Sequence, residues 1–185
     1  ALENLAFGKA SGWVALPAGE HQVQVTATGG QPEQAVIDAK LTLEAGAAYE
    51  VAATGLLANI APQIYQVNLS KLDENTARVR VIHTSPDAPA VDVAVKGGDV
   101  LISNLAFPNA SDYLEVPAGS YDLEVRAAGT TTVALELPGV KLDPTMVYDV
   151  FAIGQLGDKT LTVLVVASST TGAMATPEAT ASPAM

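Results

Sequence analysis

The segment Val79–Val95, VRVIHTSPDAPAVDVAV, gathers the side chains of this chain best suited to chemistry. His83 has the imidazole of a general base or metal ligand, and Asp87, Asp92 and, past the next turn, Asp99 carry the hard oxygens that divalent cations take. Their spacing argues for a plainer role. His83 is one of 2 histidines and has no second histidine at ligand spacing, so it is expected to be a hydrogen-bonded imidazole beside a turn. The carboxylates match no EF-hand or other calcium loop. Pro86 and Pro89 fix their own φ and push Ser85 and Ala88 toward extended backbone, and Asp87 between them is placed to accept backbone N–H bonds across the turn. Asp92, in an alternating V-D-V run, is expected to face solvent. The segment therefore reads as a rigid corner between two strands, and no metal, cofactor-binding or catalytic residue is assigned in it.

Nucleophilic catalysis needs a base within reach of the nucleophile and a group that orients the base. The chain has no G-x-S-x-G, H-E-x-x-H, S-x-x-K or glycine-rich phosphate loop. It is expected not to be an enzyme. Trp13, Tyr49, Tyr113, Tyr121 and Tyr148 are candidates for a carbohydrate-stacking platform, but they recur at matched positions of two repeats, as core or edge packing does.

Those repeats organise the chain. Residues 2–29, LENLAFGKASGWVALPAGEHQVQVTATG, align without a gap to residues 102–129, ISNLAFPNASDYLEVPAGSYDLEVRAAG. The N-L-A-F, A-S and P-A-G elements are shared, and Trp13 stands where the second copy has Tyr113. Further on, AAYEVAATGLL (47–57) answers MVYDVFAIGQL (146–156), with Tyr49 matched to Tyr148 and Gly55 to Gly154. The matched P-A-G turns suggest positive φ at Gly19 and Gly119.

The elements that position these residues have a period of two. HQVQVTA, YDLEVRA and ARVRVIH alternate apolar with polar residues, whereas VYDVFAI and TLTVLVVA are nearly continuous apolar runs, the pattern of strands buried on both faces. The one helix-like stretch, EQAVIDAKLTLEAG, has as its copy TVALELPGVKLDP, where Pro138 and Gly139 interrupt any helix; both are expected to be extended edge segments. Short strands punctuated by turns predict an all-β chain of two tandem antiparallel β-sandwiches. The first repeat covers residues 1–72, the second 77–168, joined around SKLDENTA (70–77), and residues 169–185 form a Thr/Ser/Ala/Pro-rich tail or linker. The counterpart of Val79 would precede residue 1. The first repeat is therefore expected to lack its opening strands, and a longer precursor is expected to encode a segment like VRVIHTSPDAPAVDVAVKGG upstream of Ala1.

Composition narrows the partners. With 9 basic and 20 acidic residues the net charge is −11, which disfavours nucleic acid and anionic membranes. There are 0 cysteines, so disulfides and thiolate metal sites are excluded. No apolar run approaches the roughly 18 residues of a membrane span, and the chain opens without Met, a basic n-region or an h-segment, so an export leader is expected to lie outside it.

The run VRVIHTSPDAPAVDVAVKGG, with ISNLAF, ASDYLEVPAGSYDLEVRAAG and LDPTMVYDVFAIG after it, closely resembles the secreted bacterial domain of unknown function 4397. Residues 77 to about 168 carry the full pattern, and residues 1 to about 70 carry it without the H-x-S-P-D-A-P opening. The resemblance implies tandem immunoglobulin-like or transthyretin-like sandwiches in an exported or cell-surface protein, and it implies no reaction. The chain is accordingly expected to be a non-catalytic extracellular structural protein, a homo-oligomer or polymer that self-associates into filaments by strand donation between subunits. The alternative is an adhesin or ligand-binding module for a glycan or a protein, and the third reading is a hydrolase.

Overall fold

The computed structural model describes residues 2–170. From residue 171 onward the tail lies outside the described residues, and with it most of the segment expected to donate a strand. Twelve strands carry the fold: β1 Gly19–Val25, β2 Ile37–Leu43, β3 Ala48–Thr54, β4 Ala61–Val67, β5 Thr76–His83, β6 Val91–Val95, β7 Val100–Leu105, β8 Leu114–Pro117, β9 Gly119–Ala127, β10 Val133–Leu142, β11 Met146–Ile153 and β12 Thr162–Ser169. Two single 3-10 turns, Pro32–Gln34 and Leu57–Asn59, are the other regular elements described.

Residues 76–169 form two four-stranded sheets, β12-β11-β5-β8 and β10-β9-β6-β7. Between them lie Val81, Val91, Val93, Leu105, Val125, Leu135 and Val150, each less than a tenth exposed. Burying a Val or Leu side chain stabilises by about 1.5–3 kcal/mol, so this cluster is the main source of cohesion. The expected sandwich is present, with one departure from antiparallel pairing: β5 runs parallel to β11, Arg80 in register with Asp149. The corner after β5 carries the chain to the opposite sheet and β11 is laid down much later, so nothing constrains the two to a hairpin's opposed direction. β10 bears out the edge reading of TVALELPGVKL. Among the described residues it pairs only with β9, and its register slips between Leu137 and Val140, where Pro138 has no N–H to give.

Residues 19–67 form two separate hairpins, β1-β2 and β3-β4. They match β9-β10 and β11-β12 of the second repeat. β2 touches β4, and among the described residues no strand pairs with the other edge of β1 or β3, where β9 and β11 carry β6 and β5. Residues 14–17, the counterpart of β8, form no strand. Local geometry survives all the same. Asn4 and Asn104 share a left-handed φ of 58° and 53°. His21 Nε2 donates to Pro17 O at 2.8 Å, and Tyr121 OH donates to Pro117 O at 2.6 Å.

The two P-A-G turns differ in their glycines. Gly19 has φ +132°, whereas Gly119 has no positive φ and an added Cβ there would meet only Tyr121 Cε2 at 3.8 Å. Gly119 sits in regular strand backbone at the start of β9, so the expected glycine requirement does not hold. The requirement lies at the ends of β3 and β11. Gly55 and Gly154 have φ +97° and +88°, and a Cβ on Gly154 would collide with the carbonyl oxygen of Thr160. Gly154→Ala is therefore expected to lower stability by well over about 1 kcal/mol while Gly119→Ala leaves it near wild type. Urea unfolding midpoints of the two variants check the contrast.

Candidate interaction surface

The H-T-S-P-D-A-P corner is built as an anchor. His83, 1% exposed, places Nε2 3.1 Å from Pro89 O and meets the Phe107 ring edge-on. Thr84 Oγ1 donates to Ala152 O at 2.8 Å. Asp87 does accept backbone N–H bonds, chiefly from the β11–β12 loop, Leu156 N–H at 2.9 Å and Gly157 N–H at 2.8 Å, with its own backbone N–H and the Ser85 hydroxyl adding to them. These bonds, Gly157 first, hold its carboxyl below the usual carboxylate range.

Asp92 is not solvent-facing. It is 6% exposed, with Oδ1 accepting from Asn104 N–H at 2.7 Å and Oδ2 from Gly129 N–H at 2.8 Å. Alternation places it on the outer face of β6, but the end of β7 and the turn after β9 close over it. The same two N–H groups, Asn104 first, lower its pKa. Asp92→Ala strands both donors and is expected to cost about 2 kcal/mol at neutral pH. Because the folded-state pKa is depressed, the wild-type advantage is present above the ordinary aspartate range and is lost as pH falls through the lowered value. Chemical unfolding of both proteins at pH 7 and pH 3 measures it. Asp99 belongs to the β6–β7 turn, through a bond from Val95 N–H to its backbone oxygen. Among the described residues no group of three potential metal ligands gathers.

The aromatics do not form one platform. Tyr121 and Tyr148 pack at one end of the sandwich with Ala77 and Leu142, whereas Trp13 and Tyr113 lie together against Val67, Leu72 and Val147.

The residues that join the two repeats escaped the sequence reading. β11 is buried along nearly its whole length because the sandwich core covers one face and the β3-β4 hairpin covers the other. On that second face corresponding positions of the two repeats meet. Ala10 and Ala110, Ala52 and Phe151, and Tyr65 and Val166 share one cluster with Ile82, and Tyr65 OH donates to Pro108 O at 2.9 Å. At the centre sits Arg80, its side chain 7% exposed. Its Nε donates to Asp149 Oδ1 at 2.6 Å and its Nη1 to Gln66 O at 3.1 Å. The guanidinium lies 4.5 Å from the centre of the Tyr113 ring, whose OH donates to both Asp149 oxygens at 3.0 and 3.1 Å. Arg78 ties the same joint, donating to Asn68 O at 2.7 Å and to Glu115 at 2.6 Å.

Glu50, the counterpart of Asp149, faces this cluster with less. Arg80 Nη2 is 3.7 Å from Glu50 Oε2, and the Glu50 and Asp149 carboxyls adjoin closely enough to share a proton. Burial, reinforced by the negative charge of Asp149, pushes the Glu50 carboxyl up to about 8. Burial also raises Asp149, against the pull of Arg80. A cleft of about 860 Å³ opens beside the joint, bordered by Ala48, Asn68, Ser70, Arg80, Ser111 and Tyr113. Among the described residues, no serine hydroxyl bordering it is hydrogen-bonded to a histidine or carboxylate side chain.

Clamped in this way, the first repeat presents its would-be interior. Val51 is 43% exposed where its counterpart Val150 is 8% exposed, and Leu5 is 56% exposed where Leu105 is 6% exposed. Leu2, Phe7, Val14, Leu16 and Ile64 are exposed as well. This apolar face is bounded by two strand edges that are unpaired among the described residues, and neither β1 nor β3 carries the proline or lysine that blunts an exposed edge. No helix among the described residues is long and apolar enough to cross a membrane.

A family model described as Domain of unknown function (DUF4397) matches the chain twice, over residues 1–94 and 86–177. A search of the curated proteins finds no match.

Proposed function

We propose, for this chain that belongs to the DUF4397 family and carries its domain twice, a non-catalytic role: a structural protein of the extracellular space or cell surface that associates with further copies by strand addition at its N-terminal repeat. The contrast between Val51 and Val150 carries this reading. The same position is core in one repeat and surface in the other, and among the described residues the first repeat has no strands corresponding to β5 and β6. Extended chain added to an open edge gains main-chain hydrogen bonds and covers the apolar face at once. If each copy gives a strand to the next, the contact is heterologous and propagates into a filament unless it closes into a ring. Nothing in the cleft favours a hydrolase.

Sedimentation velocity and electron microscopy over a concentration series test the proposal. Concentration-dependent association into rings or filaments is expected, and a folded monomer at every concentration overturns it. Deleting residues 171–185 separates the donors: assembly that persists without them removes the tail as the donated strand.

A further inference from the structure

The joint between the repeats is held by side chains. Among the described residues β3 pairs only with β4, and no strand ladder crosses from that hairpin to β5 or β11. What crosses is the apolar cluster of Ala52, Tyr65, Phe151 and Val166, the side-chain bonds to Pro108 O, Gln66 O and Asn68 O, and one buried charge cluster. The hairpin can leave β11 without breaking a ladder, while β11 keeps β5 and β12 as its partners.

In the charge cluster one cation faces two acids. Arg80 of β5 lies 2.6 Å from Asp149 of β11 and 3.7 Å from Glu50 of β3, and the three side chains are at most 11% exposed. The two carboxyls adjoin closely enough to share a proton. The other titratable groups around Glu50 supply no cation. Tyr65 of β4 stands in register with it, Tyr113 donates to Asp149, and burial raises both phenols, Tyr65 to about 12. Arg78, at the rim of the joint, is taken by Glu115. With the shared proton the cluster is neutral; without it one uncompensated negative charge remains in low dielectric. Separating the hairpin from β11 lets water reach that charge.

We infer that this proton is a latch: when Glu50 loses it as pH rises, the β3-β4 hairpin comes off β11 and uncovers the face that carries Phe151 and Val166, while the second sandwich stays folded. The sandwich can stand alone because its core cluster is drawn entirely from residues 79–165. The direction follows from linkage. Glu50 holds its proton up to about 8 in the closed joint and only to the ordinary 4.5 once hydrated, so the opening constant rises about tenfold per pH unit between those values and levels off above them. The latch does not depend on strand addition.

The test uses the full chain. Trp13, the single tryptophan, packs with Val67, Leu72 and Val147 in the joint, so its quenching by acrylamide reports opening. Amide exchange, corrected for the intrinsic rate at each pH, reports each strand, and a released two-stranded hairpin is marginal in water and exchanges. From pH 5 to pH 9, protection on β3 and β4 is expected to fall at least about a hundredfold and Trp13 to become quenchable, with β6 and β9 still protected. Glu50→Gln should hold both signals near their pH 5 values. Unchanged protection of β3 and β4 up to pH 9 would overturn the latch. Loss of protection on β6 and β9 along with β3 would show global unfolding, and a transition that survives Glu50→Gln would belong to another group; either result overturns it as well.

Discussion

Arg80→Met should lower the unfolding free energy by about 3–5 kcal/mol, among the largest effects of any single substitution in this chain. The methionine fills much of the same space, so the loss is electrostatic. Asp149 is 1% exposed and would keep its charge in low dielectric with the Tyr113 hydroxyl and the Glu50 carboxyl beside it but no cation, while Gln66 O would lose its donor. Breaking a buried ion pair from one side costs this much because the remaining charge is left uncompensated. The triple variant Arg80→Met, Asp149→Asn, Glu50→Gln removes the stranded charges and should recover most of the deficit. Urea denaturation of the wild type and both variants measures the difference. A single variant with the wild-type midpoint would mean that hydrophobic contact alone holds the repeats together.

Stability should also fall steeply with rising pH, and Glu50 is the cause. Its folded-state pKa, about 8, lies above the ordinary glutamate value of 4.5, so the folded protein retains a proton that the unfolded chain has released. A raised acid pKa contributes stability that is fully present below about 4.5 and is lost as pH climbs through about 8. Melting temperatures between pH 5 and pH 9 should decline, and Glu50→Gln, neutral throughout, should flatten the decline. The opposite slope would mean that Glu50 is ionised in the folded protein across this range. Asp87 and Asp92 act in the other direction, at acid pH, and do not overlap this window.

Much of this architecture is legible in the residues, and what is not has a physical reason. Period-two runs locate β1, β5 and β9, nearly continuous apolar runs locate β11 and β12, and the proline pair fixes the corner at His83, because strand and turn signals are local. Asp92 was misplaced since alternation tells which face of a strand a side chain takes, not whether a distant turn covers that face. The same blindness hid the joint. Arg80 and Glu50 look like the solvated positions of half-buried strands, and only the docking of β3-β4 on β11 makes them interior. A signal was present in the repeat itself: Tyr49-Glu50-Val51 against Tyr148-Asp149-Val150 keeps an acid in an otherwise apolar strand twice. The parallel pairing of β5 with β11 left no trace, because direction depends on connections that local pattern does not encode.

The meeting of like with like between the repeats, Ala10 with Ala110, Tyr65 with Val166 and Trp13 with Tyr113, limits how such domains can be strung together. A contact that each unit makes with its own equivalent surface is saturated by two units. A longer tandem array built on this joint would therefore not grow as a uniform rod. It would be a string of rigid pairs, with bending and extension confined to the linkers between one pair and the next. Tension applied along such a string would straighten those linkers before it loaded any sandwich.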